Sequence, residues 1–380
     1  MRAFMLFYLA IYGSMNGYLL WRAKGALSLG LKGTTLIGFW IIMMVAAPVA
    51  MHLCERAGME KTARLFAWAG WCWLGFIFLF ICASLPLDIF RAAGALLRLV
   101  FGPKMAAFVP GSKLAFLTAV SLSLTGNVYG FFEARAIRTE RIVIHSSKVP
   151  KGIGRFRIVQ ISDVHFGLIL REGLMSSIAR VVDQAQPDIL VSTGDLVDGA
   201  SSSLDGLSSR LAALPARDGK FAVTGNHEFY AGIEQSLAFT KKAGFTVLRQ
   251  EKTAIGGWLT LVGVDDPAGS RFKEGKALPD EKPVLDLAVP SSFIVLLKHQ
   301  PVVEKGAAGH FDLQLSGHIH GGQIFPFNFV VRLSYPLWCG LTKLPEGGEV
   351  YVSRGTGTWG PPVRLFEPPE ITIIDLEPAH

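Results

Sequence analysis

Four long stretches without a charged residue limit what this 380-residue chain can fold into. They cover residues 3–21, 33–54, 65–87 and 114–132, and each has at least 19 residues. That length lets an α-helix cross a hydrocarbon core of about 30 Å. A buried helix of a soluble protein normally keeps a polar stripe, and these stretches have none. We therefore predict four membrane-spanning helices within residues 1–132.

The segments that flank these stretches indicate how the chain is arranged in the membrane. Residues 88–111 place Arg91, Arg98 and Lys104 among Leu, Val and Phe, which predicts an amphipathic segment on the membrane surface. The first stretch is longer than a signal-peptide core and has no small-residue cleavage site, so we expect a retained helix. The basic residues divide almost evenly between the two sides of the membrane. They favour a cytoplasmic C-terminal domain only slightly.

Charge and cysteine usage exclude several classes of protein. The formal net charge of +7 arises in residues 1–132, where basic residues lie between apolar runs, so no nucleic-acid partner is indicated. No acidic residue lies inside the four stretches, which offers little for ion translocation. The four cysteines form no CxxC pair, which argues against a disulfide framework or a zinc knuckle.

Residues 133–154 are predicted to be a basic juxtamembrane linker. Its basic residues either contact anionic lipid headgroups or are simply solvated.

A different pattern begins near residue 155 and continues to residue 380. Short β runs such as 155–162, 188–194 and 220–225 alternate with helical stretches near 172–185, 203–214 and 230–243. Later β runs follow one another without helices. We therefore predict an α/β domain over 155–380, built as a two-sheet β sandwich flanked by helices.

Short polar clusters end several of these β runs. Asp163 and His165 follow the first run, and His318 and His320 follow a later one. Residues two apart in extended backbone point the same way, so each pair can serve one metal ion. In open α/β folds the carboxyl ends of strands gather on one edge, where sites form.

Counting the donors in these clusters indicates more than one metal ion. They supply seven nitrogen or oxygen donors and no thiolate: Asp163, His165, Asp195, Asn226, His299, His318 and His320. One divalent ion cannot use so many ligands, whereas two ions that share a carboxylate can. Mixed nitrogen and oxygen ligands suit Mn, Fe, Zn or Co, and the sequence does not choose among them.

The order of the motifs carries a resemblance. D-x-H, G-D-x-x-D, G-N-H-E, an isolated His and G-H-x-H follow one another, and together they resemble the calcineurin-like metallophosphoesterase superfamily over roughly residues 155–378. G-H-x-H-G-G-Q behind an N-terminal hydrophobic region is similar to its bacterial membrane-anchored branch. The resemblance implies a metal-dependent phosphoric ester hydrolase in the bacterial inner membrane.

The resemblance also implies roles for the metal ligands. The first ion would be held by Asp163, His165 and His320. The second would be held by Asn226, His299 and His318. Asp195 would bridge the two ions.

Three neighbouring residues have other implied roles. His227 matches the catalytic histidine of the superfamily, which contacts the substrate and not the ions. Asp198 matches the acid that orients it, and Glu228 matches a structural position. The protein Ser/Thr phosphatases of the superfamily have Arg where this chain has Gly199, so a phosphoprotein substrate is not favoured.

Two features remain open at this stage. Arg354 follows a β run and either binds substrate phosphate or has a structural surface role. The apolar run that begins at Ile324 and continues to Trp338 is packed core by default. Its alternative is an apolar lip beside the metal site, facing acyl chains.

These observations predict a membrane-anchored phosphohydrolase, whose partners are the lipid bilayer and a phosphoester. The membrane anchor would hold the site near the lipid headgroups, which favours an amphiphilic or lipid-linked substrate. The bond cleaved would be a phosphodiester, a phosphomonoester or a pyrophosphate. One specific alternative is the UDP-2,3-diacylglucosamine pyrophosphatase of lipid A synthesis. A non-catalytic membrane signalling protein with this fold would require the loss of ligands, and none is missing.

Overall fold

The computed structural model describes residues 2–102, 109–199, 204–271 and 281–379. The chain divides into two compact units. The helical unit comprises Met1–Phe132 with Gly360–Val363, and the α/β unit comprises Glu133–Trp359 with Arg364–His380.

Four helices build the N-terminal region: α1 (Arg2–Leu27), α2 (Leu31–Arg56), α3 (Glu60–Phe101) and α4 (Ser112–Glu133). Among the described residues, α2, α3 and α4 are long and apolar enough to cross a membrane. Their side chains are largely exposed within the protein, as expected for helices that face lipid. The fourth predicted span falls within α1, which is not among these three, so that span stays a prediction.

The third helix corrects the prediction of a separate surface segment at 88–111. α3 has 42 residues, about 63 Å of helix, and residues 88–101 continue it without a break. Residues 103–108 lie outside the described part of the chain. One of the charges that suggested a surface segment is paired, because Arg91 lies 3.4 Å from Asp88, which also lies 3.0 Å from Arg22.

The α/β unit contains two six-stranded mixed sheets. The first has the order β1-β12-β2-β3-β4-β5, with these strands: β1 (Arg138–Ser146), β2 (Phe156–Ile161), β3 (Ile189–Ser192), β4 (Lys220–Ala222), β5 (Thr246–Val247) and β12 (Glu370–Pro378). The second has the order β10-β11-β9-β8-β7-β6, with these strands: β6 (Glu251–Ile255), β7 (Leu259–Gly263), β8 (Phe293–Leu297), β9 (Leu313–Ser316), β10 (Gly340–Lys343) and β11 (Glu349–Val352). β2 to β5 are mutually parallel, as are β7, β8, β9 and β11.

Helices and short turns connect these strands. The α-helices are α5 (Glu172–Ala185), α6 (Asp205–Ala212), α7 (Asn226–Ala231), α8 (Ile233–Lys242), α9 (Ala268–Arg271), α10 (Lys282–Leu285) and α11 (Phe327–Ser334). Two 3₁₀ turns lie at Lys151–Ile153 and His320–Gly322.

Alternation along the strands explains the layers. In β2, Ile158 packs between the two sheets, whereas Val159 packs on the opposite face with residues of α5. α5 buries Met175, Ile178 and Val182, which lie three and four residues apart on one helix face. Strands covered on both faces read as continuous apolar runs, which is why the sequence revealed them. The α/β fold with two mixed sheets agrees with the prediction.

Residues 138–146 correct the prediction of a linker over 133–154. They form β1, which pairs in parallel with β12 along nine residues. Ile144 is only 8% exposed and joins the core between the sheets. β1 is an edge strand with one exposed face; Arg141 on that face, and Arg138 at the exposed start of the strand, hid its alternation.

Two neighbouring residues of β1 test this assignment. Ile144→Asp places a carboxylate in the core and should destabilise the α/β unit by roughly 2–4 kcal/mol. Val143 is 50% exposed on the opposite face, so Val143→Asp should cost less than about 0.5 kcal/mol. Thermal unfolding of the full-length protein in detergent measures both. Equal effects at the two positions would mean that this segment is a linker after all.

Candidate metal centre

The predicted site residues follow the carboxyl ends of parallel strands in both sheets. In the first sheet, Asp163 follows β2, Asp195 follows β3 and Asn226 follows β4. In the second sheet, His299 follows β8 and His318 follows β9. The loops after β2 and β3 run side by side, because the N–H groups of Asp163 and His165 donate to the carbonyls of Gly194 and Asp195.

One group of donors contains Asp163, His165 and His320, whose ligand atoms lie within 4.8 Å of one another. The Nε2 atoms of His165 and His320 are 3.1 Å apart. His320 Nε2 also lies 3.4 Å from Asp163 Oδ1. All three residues are buried, so these donors converge on one small space.

A second group contains Asp195, His299 and His318 within the same 4.8 Å limit. His318 Nδ1 lies 3.1 Å from His299 Nε2, and His299 Nε2 lies 3.2 Å from Asp195 Oδ2. His299 Nδ1 donates to the carbonyl oxygen of Thr193 at 2.8 Å, which directs Nε2 toward the group.

Asp195 belongs to both neighbourhoods. Its Oδ2 is 3.8 Å from His165 Nε2 in the first group and 3.2 Å from His299 Nε2 in the second. The carboxylate is buried, and its Oδ1 accepts the backbone N–H of His227 at 2.8 Å. The residue is therefore placed where a carboxylate shared by two ions would be required.

The donor chemistry fits divalent ions. Asn226 Oδ1 is buried, and no group among the described residues lies within hydrogen-bond distance of it. A buried amide oxygen without a donor is costly, and a cation satisfies it. The facing ring nitrogens of His165 and His320 likewise suit a shared cation, since burial lowers the pKa of both rings, and two neutral imidazoles present lone pairs that a metal ion can accept.

His227 lies next to these groups and is oriented by Asp198. Its Nδ1 is 3.0 Å from Asp198 Oδ1, and its ring meets the His165 ring edge-on with centroids 4.7 Å apart. His227 is also close enough to His165 and Asp195 to be counted with them as a ligand group. Because its Nδ1 is engaged by Asp198, only Nε2 remains for either role. We retain the substrate-facing assignment as the prediction.

Glu228 organises the loops instead of entering the donor groups. Its carboxylate accepts the backbone N–H groups of Gly225 at 2.6 Å, Asp195 at 3.0 Å and Leu196 at 2.8 Å. This carboxylate joins the loop after β4 to the loop after β3. That contact is the kind of structural role expected for it from the sequence.

The backbone of the site is strained. Ten described residues other than glycine have positive φ, and five of them are predicted ligands: Asp163, His165, Asp195, His318 and His320. Each such conformation costs roughly 1–2 kcal/mol for an L-residue. The strain aims the side chains of short loops at a common point, and strained residues cluster in this way at functional sites.

Close packing at Gly317 brings the two sheets' ligands together. A Cβ at this position would lie 1.9 Å from Ser162 Oγ and 2.2 Å from Asp163 Oδ2. Only glycine lets the loop after β9 approach β2 so closely. The next N–H, that of His318, then donates to the Asp163 carboxylate at 3.0 Å.

Burial and local charge set the protonation states. Burial lowers the pKa of His165 and of His318 to about 4, with neighbouring histidines adding to the effect. Both rings are then neutral, which is the form that binds metal. Burial also opposes the charged form of His227, but Asp195 and Asp198 outweigh it and raise its pKa to about 9. Around Asp195 burial is opposed by His299 and His227, which hold the pKa of its carboxyl well below the usual range.

Three contacts to the ligands escaped the sequence analysis. Tyr335 Oη lies 2.9 Å from His318 Nε2, and Arg364 Nη2 lies 3.1 Å from His320 Nδ1. Thr193 contributes through its backbone carbonyl, so its side-chain type gave no signal. Tyr335 lies within the apolar run already noted, which was the available signal. Arg364 is completely buried and had none.

Arg354 is engaged by protein carboxylates. Its Nε lies 2.6 Å from Glu370 Oε2, and its Nη2 donates to Glu140. Two carboxylates neutralise the guanidinium, so this geometry favours the structural alternative over phosphate binding.

Comparison with known proteins places the chain in a family. A family model described as calcineurin-like phosphoesterase matches residues 156–322. An uncharacterized metallophosphoesterase of Aquifex aeolicus is 42% identical over 250 residues, covering 66% of this chain and 95% of that protein. The chain belongs to the calcineurin-like phosphoesterase family. Membership implies a metal-dependent phosphoester hydrolase.

The similarity extends beyond the α/β unit in one relative. A transmembrane protein with metallophosphoesterase domain from Bos taurus is 32% identical over 360 residues, 91% of this chain and 73% of that protein. This alignment covers too much of the chain to be confined to residues 133–380.

An uncharacterized metallophosphoesterase of Bacillus subtilis is 30% identical over 272 residues and covers 67% of this chain and 92% of that protein.

Metal analysis of ligand variants tests the shared position of Asp195. Asp195→Asn should reduce bound metal from about two ions per chain to fewer than one, because the lost charge serves both groups. Asn226→Ala should weaken only one of the two ions. Asp183→Asn, an exposed acid on α5, is the matched control and should change nothing. A wild-type protein that binds a single ion at saturating Mn²⁺ would contradict the two-ion arrangement.

Proposed function

We propose that this chain is a membrane-anchored phosphohydrolase that works with two divalent metal ions, drawn from Mn, Fe, Zn or Co. The convergence of six of the proposed donors into two groups that meet at Asp195 is the single observation that carries the proposal. Asp163, His165 and His320 would hold one ion, and Asn226, His299 and His318 the other. Bound ions would polarise phosphoryl oxygens and lower the pKa of a bound water.

The protein's own contribution to the reaction centres on His227. Asp198 Oδ1 holds its Nδ1 at 3.0 Å, so Nε2 carries the proton that faces away from Asp198. Despite burial, the carboxylates of Asp195 and Asp198 raise the pKa of His227 to about 9, and the contact with Asp198 favours the protonated ring. His227 would give this proton to the leaving oxygen of the phosphoester. Rings of Tyr230 and Trp359 lie 5.3 Å and 5.9 Å from it and limit its movement.

Leaving-group dependence tests this role. His227→Ala should lower kcat by roughly 10²–10⁴ for esters of poor leaving groups, because an alkoxide requires protonation. The loss should be much smaller for p-nitrophenyl esters, whose leaving group needs little help. Metal content should stay unchanged, and His310→Ala, at an exposed histidine outside the site, serves as control. An equal loss for both kinds of ester would remove the proton-donor assignment.

Three observations support an amphiphilic substrate. Three helices are long and apolar enough to anchor the chain in a bilayer. Gly199 replaces the arginine expected for phosphoprotein substrates. The segment after the last ligand motif divides between the two alternatives: Ile324 is buried in the core, whereas Phe325 and Phe329 are exposed, and this exposed part supports the apolar lip. We further propose a bacterial inner-membrane location with the catalytic unit on the cytoplasmic side.

Two synthetic diesters that differ only in chain length test the substrate class. p-Nitrophenyl methyl phosphate and p-nitrophenyl hexadecyl phosphate share their leaving group, so a difference in kcat/KM reports recognition of the chain. We expect at least a tenfold preference for the hexadecyl ester with the full-length protein in vesicles, since each buried methylene contributes about 0.8 kcal/mol. UDP-2,3-diacylglucosamine, a natural lipid-linked pyrophosphate, should be tested as a substrate under the same conditions. Equal rates for both esters would leave a phosphohydrolase without a lipid preference.

A further inference from the structure

Helix α11 carries an apolar face that the α/β unit does not cover. Phe329, Val330 and Leu333 are 59%, 53% and 86% exposed, and no described residue of the helix is buried. Single exposed apolar residues are ordinary, but a whole helix face of them marks an interaction surface. We refer to Phe329, Val330 and Leu333 as the α11 face.

The helix rests on the protein by its other side. Val331 packs against the core outside the second sheet, and Asn328 lies within 3.5 Å of Glu367. At 100° per residue these two positions lie opposite the α11 face. The segregation is that of an amphipathic helix lying in a lipid interface, with one side on the protein and one side apolar.

Neighbouring aromatic residues extend the apolar surface. Phe325, just before the helix, is 38% exposed and its ring lies 5.7 Å from that of Phe329. Phe366 lies 5.9 Å from Phe325 and is 65% exposed. The surface is therefore continuous across two segments of the chain.

The segment that carries α11 is basic, and the acidic neighbour Glu367 is half-buried beside Asn328, on the side of the helix that rests on the protein. Between Asp312 and Glu346 the sequence has no acidic residue, and its charged residues are Arg332 and Lys343. Both side chains are exposed, and the Arg332 guanidinium lies 4.3 Å over the Trp338 ring. Basic residues and a tryptophan beside an apolar face match anionic headgroups above acyl chains.

We propose that the α11 face is a docking surface for the lipid bilayer, inserting to the boundary between headgroups and acyl chains. The bilayer is the partner that the chain favours, because its candidate membrane spans would keep the α/β unit tethered near a bilayer. The inference rests on the membrane anchoring in the proposed function. It does not depend on the chemistry of the metal centre.

Docking by this face would bring the ligand loops to the interface. A Cβ at Gly322 would lie 2.4 Å from the Asn328 Cα, so only glycine allows α11 to pack directly on the loop that carries His320. At its other end, α11 leads into Tyr335, whose hydroxyl lies 2.9 Å from His318 Nε2. A phosphoester in the headgroup layer of the leaflet that α11 enters would then reach the donors without leaving the lipid.

Hydroxyl-radical labelling of the wild-type full-length protein, with one chain per lipid nanodisc, tests the docking. Leu333 and Leu287 form a matched pair of equal intrinsic reactivity, exposed by 86% and 63% in the protein. Leu333 should label at least fivefold more slowly than Leu287 if lipid covers it. Equal or faster labelling of Leu333 would overturn the proposal. A nanodisc with one chain rules out a second copy as the cover, and the readout does not need activity.

A second measurement links docking to turnover. Leu333→Asp should lower the ratio of hexadecyl to methyl ester turnover in anionic vesicles at least tenfold, and Leu287→Asp should leave the ratio unchanged. Unchanged ratios in both variants would also count against docking. Failure to hydrolyse either ester would end the proposed function, while the labelling result would still decide the docking.

Discussion

The arrangement depends on one buried carboxylate. Asp195 lies 3.2 Å from His299 Nε2 of the second sheet and 3.8 Å from His165 Nε2 of the first. Its backbone is held by Glu228, and its own Oδ1 holds the N–H of His227. A buried anion is tolerated only when cations or donors surround it. The two sheets are therefore joined at this edge by the charge requirement of a single residue as well as by the apolar core.

The candidate site residues could be predicted to lie near one another because they obey a simple rule. Donors that follow parallel strands meet at one edge, and six of the seven predicted ligands lie in the groups around Asp163 and Asp195, while Asn226 follows β4 of the first sheet. Asp198 and His227 are likewise in contact. Sequence reasoning could not predict the residues that contact the ligands and orient them. Arg364 is separated from His320 by 44 positions and Tyr335 contacts His318 through a loop, and neither contact has a periodic signal.

The wrong or undecided predictions have a common physical origin. Each concerns an element that has one buried face and one exposed face. β1 was predicted to be a linker because charges on its exposed face masked Ile144 on the other. The apolar run at 324–338 could not be assigned to core or surface because apolar composition says nothing about which side a residue faces, and it contains both. The same ambiguity affects α3, where Asp88 is paired with Arg22 inside a long helix and does not mark its end. Strands covered on both faces carried no such ambiguity, and the β runs predicted at 155–162, 188–194 and 220–225 are the strands β2, β3 and β4.

The position of β12 has a consequence for synthesis of the protein. The last strand of the chain lies between β1 and β2, the first two strands of the α/β unit. β1 pairs with β12 and not with β2, so its nine-residue ladder cannot form until residues 370–378 have been synthesised. More than 220 residues separate the two strands along the chain, and β1 stays unpaired on that side until the distant strand arrives. A nascent chain that stalls before residue 370 therefore exposes two open edges, one on β1 and one on β2.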